Sequence, residues 1–426
     1  MPNRTLSLAC RSIAGVFVIS LLGSCASNHS GDRSRSNAFT SYFGEAQNEG
    51  ALRLAVKDLI DMKGLVTSAG SEYFLKNRPP AIRDAECLAI ARSRRDVHIV
   101  GKANLTEFAI SVSGRNGYFG TPVNRLDGRH KFIPGGSSSG SAVAVANGQA
   151  DVAFGTDTCG SIRVPAACCG IYGLKTTFGL VSNKGVFPIS AKHLDTVGPM
   201  AADLPRLVEG MGLLQRDFKG RYSAAVAANP SARQIRIGRL YIPGTDPAID
   251  KAIDDRLVAK GFQVVKLDAS FAKKWAQSEL DGETIATSDA WKNDRKYTDN
   301  LQIDSNTRAV LAKGAVDSVI GFDAAVKRKA AWKRDLARVF RKVDFIATPT
   351  LRILPPRLPF WRSTSIFELI IVNAQNTAGI NFSGNPALAM PIAMPESKIP
   401  TSLQLVGPPL SEAELLNACR LLQVEP

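Results

Sequence analysis

The sequence predicts an α/β fold, and two observations lead to this prediction. The chain has 426 residues, of which 45% are hydrophobic, so it can bury the core of one large domain or two medium ones. From Leu52 onward, short apolar runs such as LRLAV and VHIVG alternate with segments of helical periodicity such as AECLAIARSRR. This alternation is typical of strands and helices that follow one another along the chain.

The first predicted element is an export signal over residues 1–24. Two arginines precede an apolar run from Ile13 to Gly23, and this run is shorter than the ~20 residues that cross a bilayer. Leu22-Gly23-Ser24-Cys25 resembles a bacterial lipobox, which makes Cys25 a candidate for lipidation. An ordinary cleaved signal or an uncleaved anchor stays open. We expect an exported protein in the periplasm or cell envelope, held at the membrane as a lipoprotein.

A tether and one large domain follow the signal. Residues 25–50 begin with small, polar and charged side chains, as expected of a flexible tether. We predict that residues 51–426 form one domain. Within it, 221–340 is interpreted as a more variable, largely helical insertion, because it is rich in Ala, Lys and Asp with helical periodicity. Strand-like runs return at VDFIATPT and NPALAMPIAMP, and a last helix follows Ser411, a candidate N-cap.

Charge and cysteine usage exclude several classes of function. The net charge of +15 is spread along the chain without a nucleic-acid motif, so we interpret it as a solvated basic surface and expect no nucleic-acid partner. The seven cysteines match no zinc or redox spacing, so no metal site and no cofactor are predicted. Cys168 and Cys169 are expected to be small buried residues, although one disulfide stays open for an exported chain.

Residues 130–170 carry the most information about function. In FIPGGSSSGSAVAVANGQA, glycines and serines precede an apolar run that would start a helix near Gly140. The Lys-Ser/Thr pair of a P-loop is missing, and the flanks are too apolar for a linker. Residues 136–140 satisfy G-x-S-x-G, the nucleophile elbow of α/β-hydrolases, although the preceding HKFIP is a poor strand. In that alternative Ser138 attacks, and its partners would be Asp157 or Asp151, and His193.

A second candidate nucleophile, Ser161, lies in the glycine-containing turn TDTCGSIR, which has no histidine nearby. A lysine that burial keeps neutral can replace imidazole as the base, because desolvation penalises the ammonium and lowers its pKa. Lys57 follows the apolar run LRLAV, which would carry its amine into the core. The sequence therefore offers a serine and lysine pair as an alternative to a histidine-based triad.

Several separated motifs resemble the amidase signature family. The stretch GGSSSGSAVAVANGQADVAFGTDTCGSIRVPAACCG resembles its signature block, and LAVKDLIDMKGLVTSAGS resembles its lysine motif. Shorter matches such as VGKANLTEFA, HLDTVGPMA and TSLQLVGPPL follow in the family's order between Leu52 and Leu422. The resemblance implies one large domain with a mixed central β-sheet covered by helices on both faces.

The resemblance also implies roles for individual residues. Lys57 matches the catalytic lysine, Ser137 a bridging serine usually found with a cis peptide bond, and Ser161 the nucleophile. The oxyanion loop matches Thr158, Cys159, Gly160 and Ser161, and the supporting positions match Ser138, Asp157 and Arg163. Lys102 in GKANLTEF is the tempting alternative lysine, for which we expect a packing or surface role.

The implied activity is amide hydrolysis through an acyl-enzyme, with a small-molecule amide and, through the anchor, a membrane as partners; a homodimer is left open. Three alternatives stay open. They are an amidase-like binding protein without turnover, an esterase that uses Ser138, and an A-type component of glutamyl-tRNA amidotransferase, which would need cytosolic tRNA that export denies it. Cys159 stands where the family commonly has glycine, so we expect it to narrow the acyl pocket or make the activity thiol-sensitive. The identity of the amide is not predicted.

Overall fold

The computed structural model describes residues 36–44, 50–126, 132–358, 365–395 and 397–423. The predicted signal over residues 1–24, the lipidation candidate Cys25 and most of the predicted tether lie outside these residues. Within the described ranges, no helix combines the length and the apolar character needed to cross a membrane.

The strands of the described residues join one mixed sheet of eleven strands. In chain order they are β1 (Phe39–Tyr42), β2 (Leu52–Lys57), β3 (Val97–Ala103), β4 (Val152–Asp157), β5 (Tyr172–Lys175), β6 (Thr196–Ala201), β7 (Arg236–Arg239), β8 (Gln263–Lys266), β9 (Phe345–Pro349), β10 (Ala387–Met394) and β11 (Ser397–Val406). Their order across the sheet is β1-β3-β2-β4-β6-β5-β10-β11-β9-β7-β8. Strand β2 pairs in parallel with β3 and β4, and β7 pairs in parallel with β8 and β9, whereas the other pairs are antiparallel.

Helices cover both faces of this sheet. In chain order they are α1 (Glu72–Asn77), α2 (Ala89–Ser93), α3 (Ser139–Ala146), α4 (Arg163–Cys169), α5 (Leu204–Leu214), α6 (Phe218–Ala228), α7 (Pro247–Ala259), α8 (Ala269–Asp294), α9 (Ser305–Ile320), α10 (Phe322–Phe340), α11 (Ser365–Ala374), α12 (Ala378–Ser383) and α13 (Glu412–Leu422). The predicted α/β class, and the mixed sheet covered on both faces, are confirmed.

Strand β2 illustrates how the sheet buries two apolar faces. Side chains of a strand point alternately to opposite faces. Leu54 and Val56 belong to the apolar cluster that contains Leu207 of α5, whereas Ala55 between them belongs to the cluster that contains Val143 of α3. All three β2 side chains are fully buried, so the run LRLAV is apolar because both of its faces are covered.

The segment 221–340 contains most of α6, all of α7 to α10, and also the short strands β7 and β8. These strands extend the central sheet beyond β9, so the segment is part of the sheet as well as a helical layer. Each strand has only four residues, and β8 is exposed along its whole length, which explains why neither shows an apolar run in the sequence.

The parallel strands position the candidate site. Lys57 is the last residue of β2 and Asp157 is the last residue of β4, and the two strands are neighbours. Carboxyl ends of parallel strands meet at the same edge of a sheet, which is where α/β proteins commonly place their ligands. The segment that begins at Gly135 and the turn that follows β4 both converge on this edge.

Candidate active site

Lys57 is fully buried and its amine is surrounded by hydroxyl groups. Its Nζ donates to the Oγ of Ser137 at 2.7 Å and to the Oγ1 of Thr156 at 2.9 Å. Burial lowers the pKa of Lys57 to about 7, although the nearby charges of Asp157 and Asp195 favour the ammonium. A substantial fraction of this lysine is therefore a neutral amine near pH 7, which makes it able to accept a proton.

Ser137 and Ser138 connect the lysine to the turn after β4. The peptide bond between Gly136 and Ser137 is cis, as the resemblance implies, and both serines are fully buried. The Ser138 hydroxyl donates to the backbone oxygen of Thr156 at 3.3 Å, and the Ser138 N–H donates to the backbone oxygen of Ser161 at 3.2 Å. The segment that ends at the start of α3 is thereby fixed against both β4 and the turn.

Ser161 lies in the turn between β4 and α4 and is 6% exposed. Its hydroxyl makes no hydrogen bond to the described residues, whereas its backbone is held by Ser138. Gly160 just before it has φ +129°, and a Cβ there would lie 2.2 Å from the Oγ1 of Thr377. Both conditions require glycine at this position of the turn.

The carboxylate of Asp157 organises the turn from below. It accepts the N–H of Gly160 at 2.8 Å, the N–H of Ile162 at 3.1 Å, and two guanidinium N–H groups of Arg163 at 2.8 and 3.1 Å. Burial opposes ionisation of this carboxyl, but the charge and hydrogen bonds of Arg163 outweigh that effect and lower the pKa of Asp157 to about 2. Asp157 therefore stays ionised and serves as a fixed acceptor, consistent with the supporting position predicted for it.

Arg163 is fully buried and extends the same network into the C-terminal part of the chain. Its guanidinium donates to the Oε1 of Gln404 on β11 at 2.6 Å and to the Oδ1 of Asn381 on α12 at 2.5 Å. Asn381 in turn donates to Asp157 at 2.9 Å. The turn is thus fixed by partners that lie more than two hundred positions away in the sequence.

The predicted oxyanion loop has two further supports. The Thr158 hydroxyl donates to Asp195 at 2.7 Å, and the Thr377 hydroxyl donates to the backbone oxygen of Cys159 at 2.5 Å. The Gly160 N–H is used by Asp157, whereas the N–H groups of Cys159 and Ser161 make no hydrogen bond to the described residues. These two donors are available to a negative charge that develops beside Ser161.

A cavity of about 160 Å³ opens beside this turn. Thr158, Cys159 and Ser161 line one end of it, and most of the remaining wall is apolar. The Cys159 side chain contributes to the wall, in line with the expected narrowing, and burial raises the pKa of its thiol well above the ordinary value. A neutral thiol at this point adds volume to the wall rather than a charge.

Lys102 lies beside Lys57 on the neighbouring strand but has different surroundings. Its Nζ forms an ion pair with Asp58 at 2.7 Å and is 1% exposed, so it packs in the interior and is not at the surface. Among the described residues its other acceptors are the hydroxyl of Thr67 at 3.2 Å and the backbone oxygen of Val66 at 3.4 Å. It has no hydrogen bond to either candidate nucleophile.

The structure does not assemble the Ser138, His193 and aspartate alternative. The ring of His193 pairs through Nδ1 with Asp289 at 2.6 Å, and Asp151 pairs with Arg53 at 2.9 Å. Ser138 is fully buried and bonds to β4, and no described hydrogen bond joins it to His193. These residues serve separate parts of the fold.

Sequence reasoning missed several residues that hold the site together. Thr156, Asp195, Thr377, Asn381 and Gln404 each place a polar side chain within the network, and all are 5% exposed or less. A polar residue within an otherwise apolar strand, such as the threonine of DVAFGTD, is the signal that could have identified Thr156. Within the part of the chain that the structure describes, no group of three His, Cys, Asp or Glu side chains is arranged to hold a metal.

Comparison with known proteins adds a family match over most of the chain. The family model described as Amidase matches residues 51–416. The 2-amino-5-chloromuconic acid deaminase of Comamonas testosteroni is 31% identical, and the match covers 94% of this chain and 90% of that protein. The A-type component of glutamyl-tRNA(Gln) amidotransferase from Halobacterium salinarum is 31% identical over 87% of this chain and 94% of that protein. A solved structure from a vestigial protein complex related to an s-triazine catabolic enzyme superposes with a TM-score of 0.78, at 26% identity and coverage of 92% and 91%.

Proposed function

Because the chain belongs to the amidase signature family, we propose that it hydrolyses the carbon–nitrogen bond of small linear amides, with Lys57, Ser137 and Ser161 as its catalytic residues. The family supplies the hydrolase class, and the arrangement of these side chains supports the finer assignment. The observation that carries the proposal is a buried lysine with a pKa of about 7 whose Nζ lies 2.7 Å from a serine hydroxyl.

The first step is activation of the nucleophile. Neutral Lys57 accepts the proton of the Ser137 hydroxyl while Ser137 accepts the proton of Ser161, and the Ser161 oxygen attacks the amide carbonyl. Substrate binding in the cavity brings the Ser161 hydroxyl into line with Ser137, since catalytic hydrogen bonds often tighten only in the substrate complex. The relay uses no carboxylate, which would otherwise hold the lysine as an ammonium.

The second step needs stabilisation of the oxyanion and protonation of the leaving group. The N–H groups of Cys159 and Ser161 donate to the carbonyl oxygen as it becomes negative. The relay then runs in reverse, from the Lys57 ammonium through Ser137, and protonates the departing nitrogen, because an amine anion is a very poor leaving group. Water hydrolyses the resulting acyl-enzyme with the same base.

Covalent labelling tests the nucleophile directly. We expect a fluorophosphonate to label Ser161 in the native chain, and we expect Ser161→Ala to lose both the label and the hydrolysis of simple aryl amides. The loss in turnover should be roughly 10⁶-fold, the size of the effect when a serine hydrolase loses its nucleophile. Peptide mapping of the labelled protein and initial rates on an aryl amide series are the measurements.

His193→Ala is the matched control, because His193 belongs to the alternative triad and pairs with Asp289 away from the cavity. It should keep both the label and the rate. A label on Ser138, with activity that depends on His193 and not on Ser161, would replace this proposal with the esterase alternative. A chain that neither reacts with the probe nor hydrolyses any amide would favour the binding protein without turnover.

An A-type component of a glutamyl-tRNA amidotransferase is the second candidate, because a relative of that kind matches 87% of this chain at 31% identity. Such a component works with partner proteins and tRNA, whereas a stand-alone amidase does not. Hydrolysis of simple amides by the purified chain alone supports the amidase, and activity that appears only with partner proteins and tRNA supports the amidotransferase.

We also propose that the protein is exported and anchored by a lipid on Cys25. This proposal rests on the apolar run and the lipobox-like residues of the N-terminus alone. Mass spectrometry of the mature N-terminus from the native host should find a lipid-modified cysteine at position 25. An unmodified mature N-terminus would remove the anchor and leave the amidase proposal intact.

A further inference from the structure

The cavity beside Ser161 has an apolar wall with few polar groups. Its lining includes Ile110, Val112, Ile189, Val310 and Val372, which can hold a hydrocarbon chain. A cavity of about 150 Å³ accepts a molecule of the size of benzene, so this cavity of about 160 Å³ fits an acyl chain of similar bulk. The polar groups in the wall then decide which chain end is accepted.

Most of these polar groups already have partners within the protein. The Thr158 hydroxyl donates to Asp195, the Thr287 hydroxyl donates to the backbone oxygen of Glu283 at 3.0 Å, and the Gln375 Oε1 accepts from Thr377 at 3.3 Å. Apart from the Ser161 hydroxyl, the group that keeps bonding capacity toward the cavity is the carboxyl of Glu283 on α8.

Glu283 is placed in the wall without a cationic partner. No lysine or arginine of the described residues forms an ion pair with it, and the neighbouring group that hydrogen-bonds to its carboxyl is the side chain of Gln375. Burial raises the pKa of Glu283, while the charge of Lys313, the Gln375 side chain and the charge of Arg352 oppose that rise. A carboxylate has about four acceptor sites, so one amide donor leaves most of its capacity unused.

Lys313 also lines the cavity but is already paired. Its ammonium forms an ion pair with Asp317 and its side chain is 58% exposed, so it lies at the solvent edge. It is therefore poorly suited to recognise a buried anionic chain end, whereas the Glu283 carboxyl faces the apolar interior of the cavity.

We propose that Glu283 determines substrate choice, and that the cavity selects amides whose acyl chain ends in an ammonium group or another N–H donor. This inference rests on the proposed function, because the same cavity must hold the acyl group attacked by Ser161. A cationic chain end supplies the partner that the Glu283 carboxyl lacks. An acyl chain that ends in a methyl group leaves the carboxyl unpaired, and one that ends in a carboxylate is repelled by it.

Binding to the Ser161→Ala chain tests the inference without turnover. The probes are 5-aminopentanamide and hexanamide, which have the same number of non-hydrogen atoms and differ in an ammonium against a methyl end, and the monoamide of glutaric acid as the anionic probe. We expect 5-aminopentanamide to bind about tenfold more tightly than hexanamide, the gain from one hydrogen bond to a charged group. The anionic probe should bind most weakly.

The variant Glu283→Gln, built in the same chain, should reduce the preference for the ammonium end to about onefold. The matched control is Glu414→Gln, the same chemical change at an exposed position of α13, and it should keep the full preference. Rates of the native Ser161 chain on the same amides, expressed as a ratio of kcat/KM, provide the second readout.

Equal binding of 5-aminopentanamide and hexanamide, binding of neither, or a preference that survives Glu283→Gln would overturn the inference. Turnover of hexanamide that depends on Ser161 would still support the amidase in each of these cases. Loss of Ser161-dependent turnover on every amide, together with a binding preference that depends on Glu283, would instead overturn the proposed function and leave the recognition site.

Discussion

The carboxyl ends of β2 and β3 carry two buried lysines in contrasting surroundings. Among the described residues, Lys57 donates only to the hydroxyls of Ser137 and Thr156, whereas Lys102 on the adjacent strand is paired with Asp58 at 2.7 Å. The strands are parallel neighbours, with Lys57 opposite Ala103 and Lys102 opposite Val56. A shift of one position along neighbouring strands therefore separates a lysine fit to be a base from a lysine fit to be half of an ion pair.

The contrast teaches that burial alone does not make a lysine a catalyst. Lys175 is also fully buried, and burial together with the charge of Arg163 lowers its pKa to about 7. However, Lys175 donates to the backbone oxygens of Thr176 and Asn385, which have no proton to give. A lysine base needs a lowered pKa and also a hydroxyl within reach, and among these three only Lys57 has both.

Removal of the amine at position 57 should produce the largest effect. We expect Lys57→Met to lower kcat/KM on a simple aryl amide by roughly 10²–10⁴-fold, the contribution of a positioned general base. Steady-state kinetics measure this loss.

The same variant should fold at least as well as the native chain, which separates lost chemistry from misfolding. The folded pKa of Lys57, about 7, lies below its ordinary value of 10.5, so its burial costs stability. That cost is fully present below pH 7 and fades as the pH rises toward 10.5. Denaturant unfolding at pH 7 should therefore find Lys57→Met more stable than the native chain, and a destabilised variant would contradict the account of Lys57.

Removal of the amine at position 102 should affect stability instead of chemistry. Lys102→Met leaves the buried Asp58 carboxylate without its cation, and we expect a loss of about 3–5 kcal/mol in the free energy of unfolding. The double variant with Asp58→Asn should recover part of that loss. If Lys102→Met kept its stability and lost activity as completely as Lys57→Met, the distinction between the two strand ends would be wrong.

The smallest expected effect is the pH dependence of the native chain. Neutral Lys57 is the competent form, so kcat/KM should rise about tenfold per pH unit below pH 7 and level off above it. A pH–rate profile on an uncharged amide measures this limb. Lys175→Met should retain it, and a limb that disappeared with Lys175 would assign the titration to the wrong lysine.

The sequence predicted the parts of this molecule that depend on local pattern. The apolar run before Lys57 indicated a buried strand that carries the lysine inward, and its full burial agrees. Strands β7 and β8 were missed because sequences such as RIGR are short and polar. Thr156 and Asp195 were not identified as neighbours of the lysine and the turn, because those contacts depend on which strands and loops become adjacent.

The roles of Lys57, Ser137 and Ser161 stay predictions that the resemblance supplied, and the experiments above address them. What no local pattern could provide is the wall of the cavity, where residues of α8, α9 and the end of α11 meet the turn after β4. Glu283 stands in a helix of ordinary composition, so only tertiary structure indicates that its carboxyl faces the substrate.

The buried guanidinium of Arg163 has a consequence for synthesis of the protein. It joins the turn to Asn381 and Gln404, which follow it by 218 and 241 residues. Gln404 lies on β11, which is inserted between β10 and β9. A growing chain therefore leaves the ribosome almost completely before its reactive turn gains its last braces, and fragments that end before β11 carry the nucleophile without the scaffold that aims it.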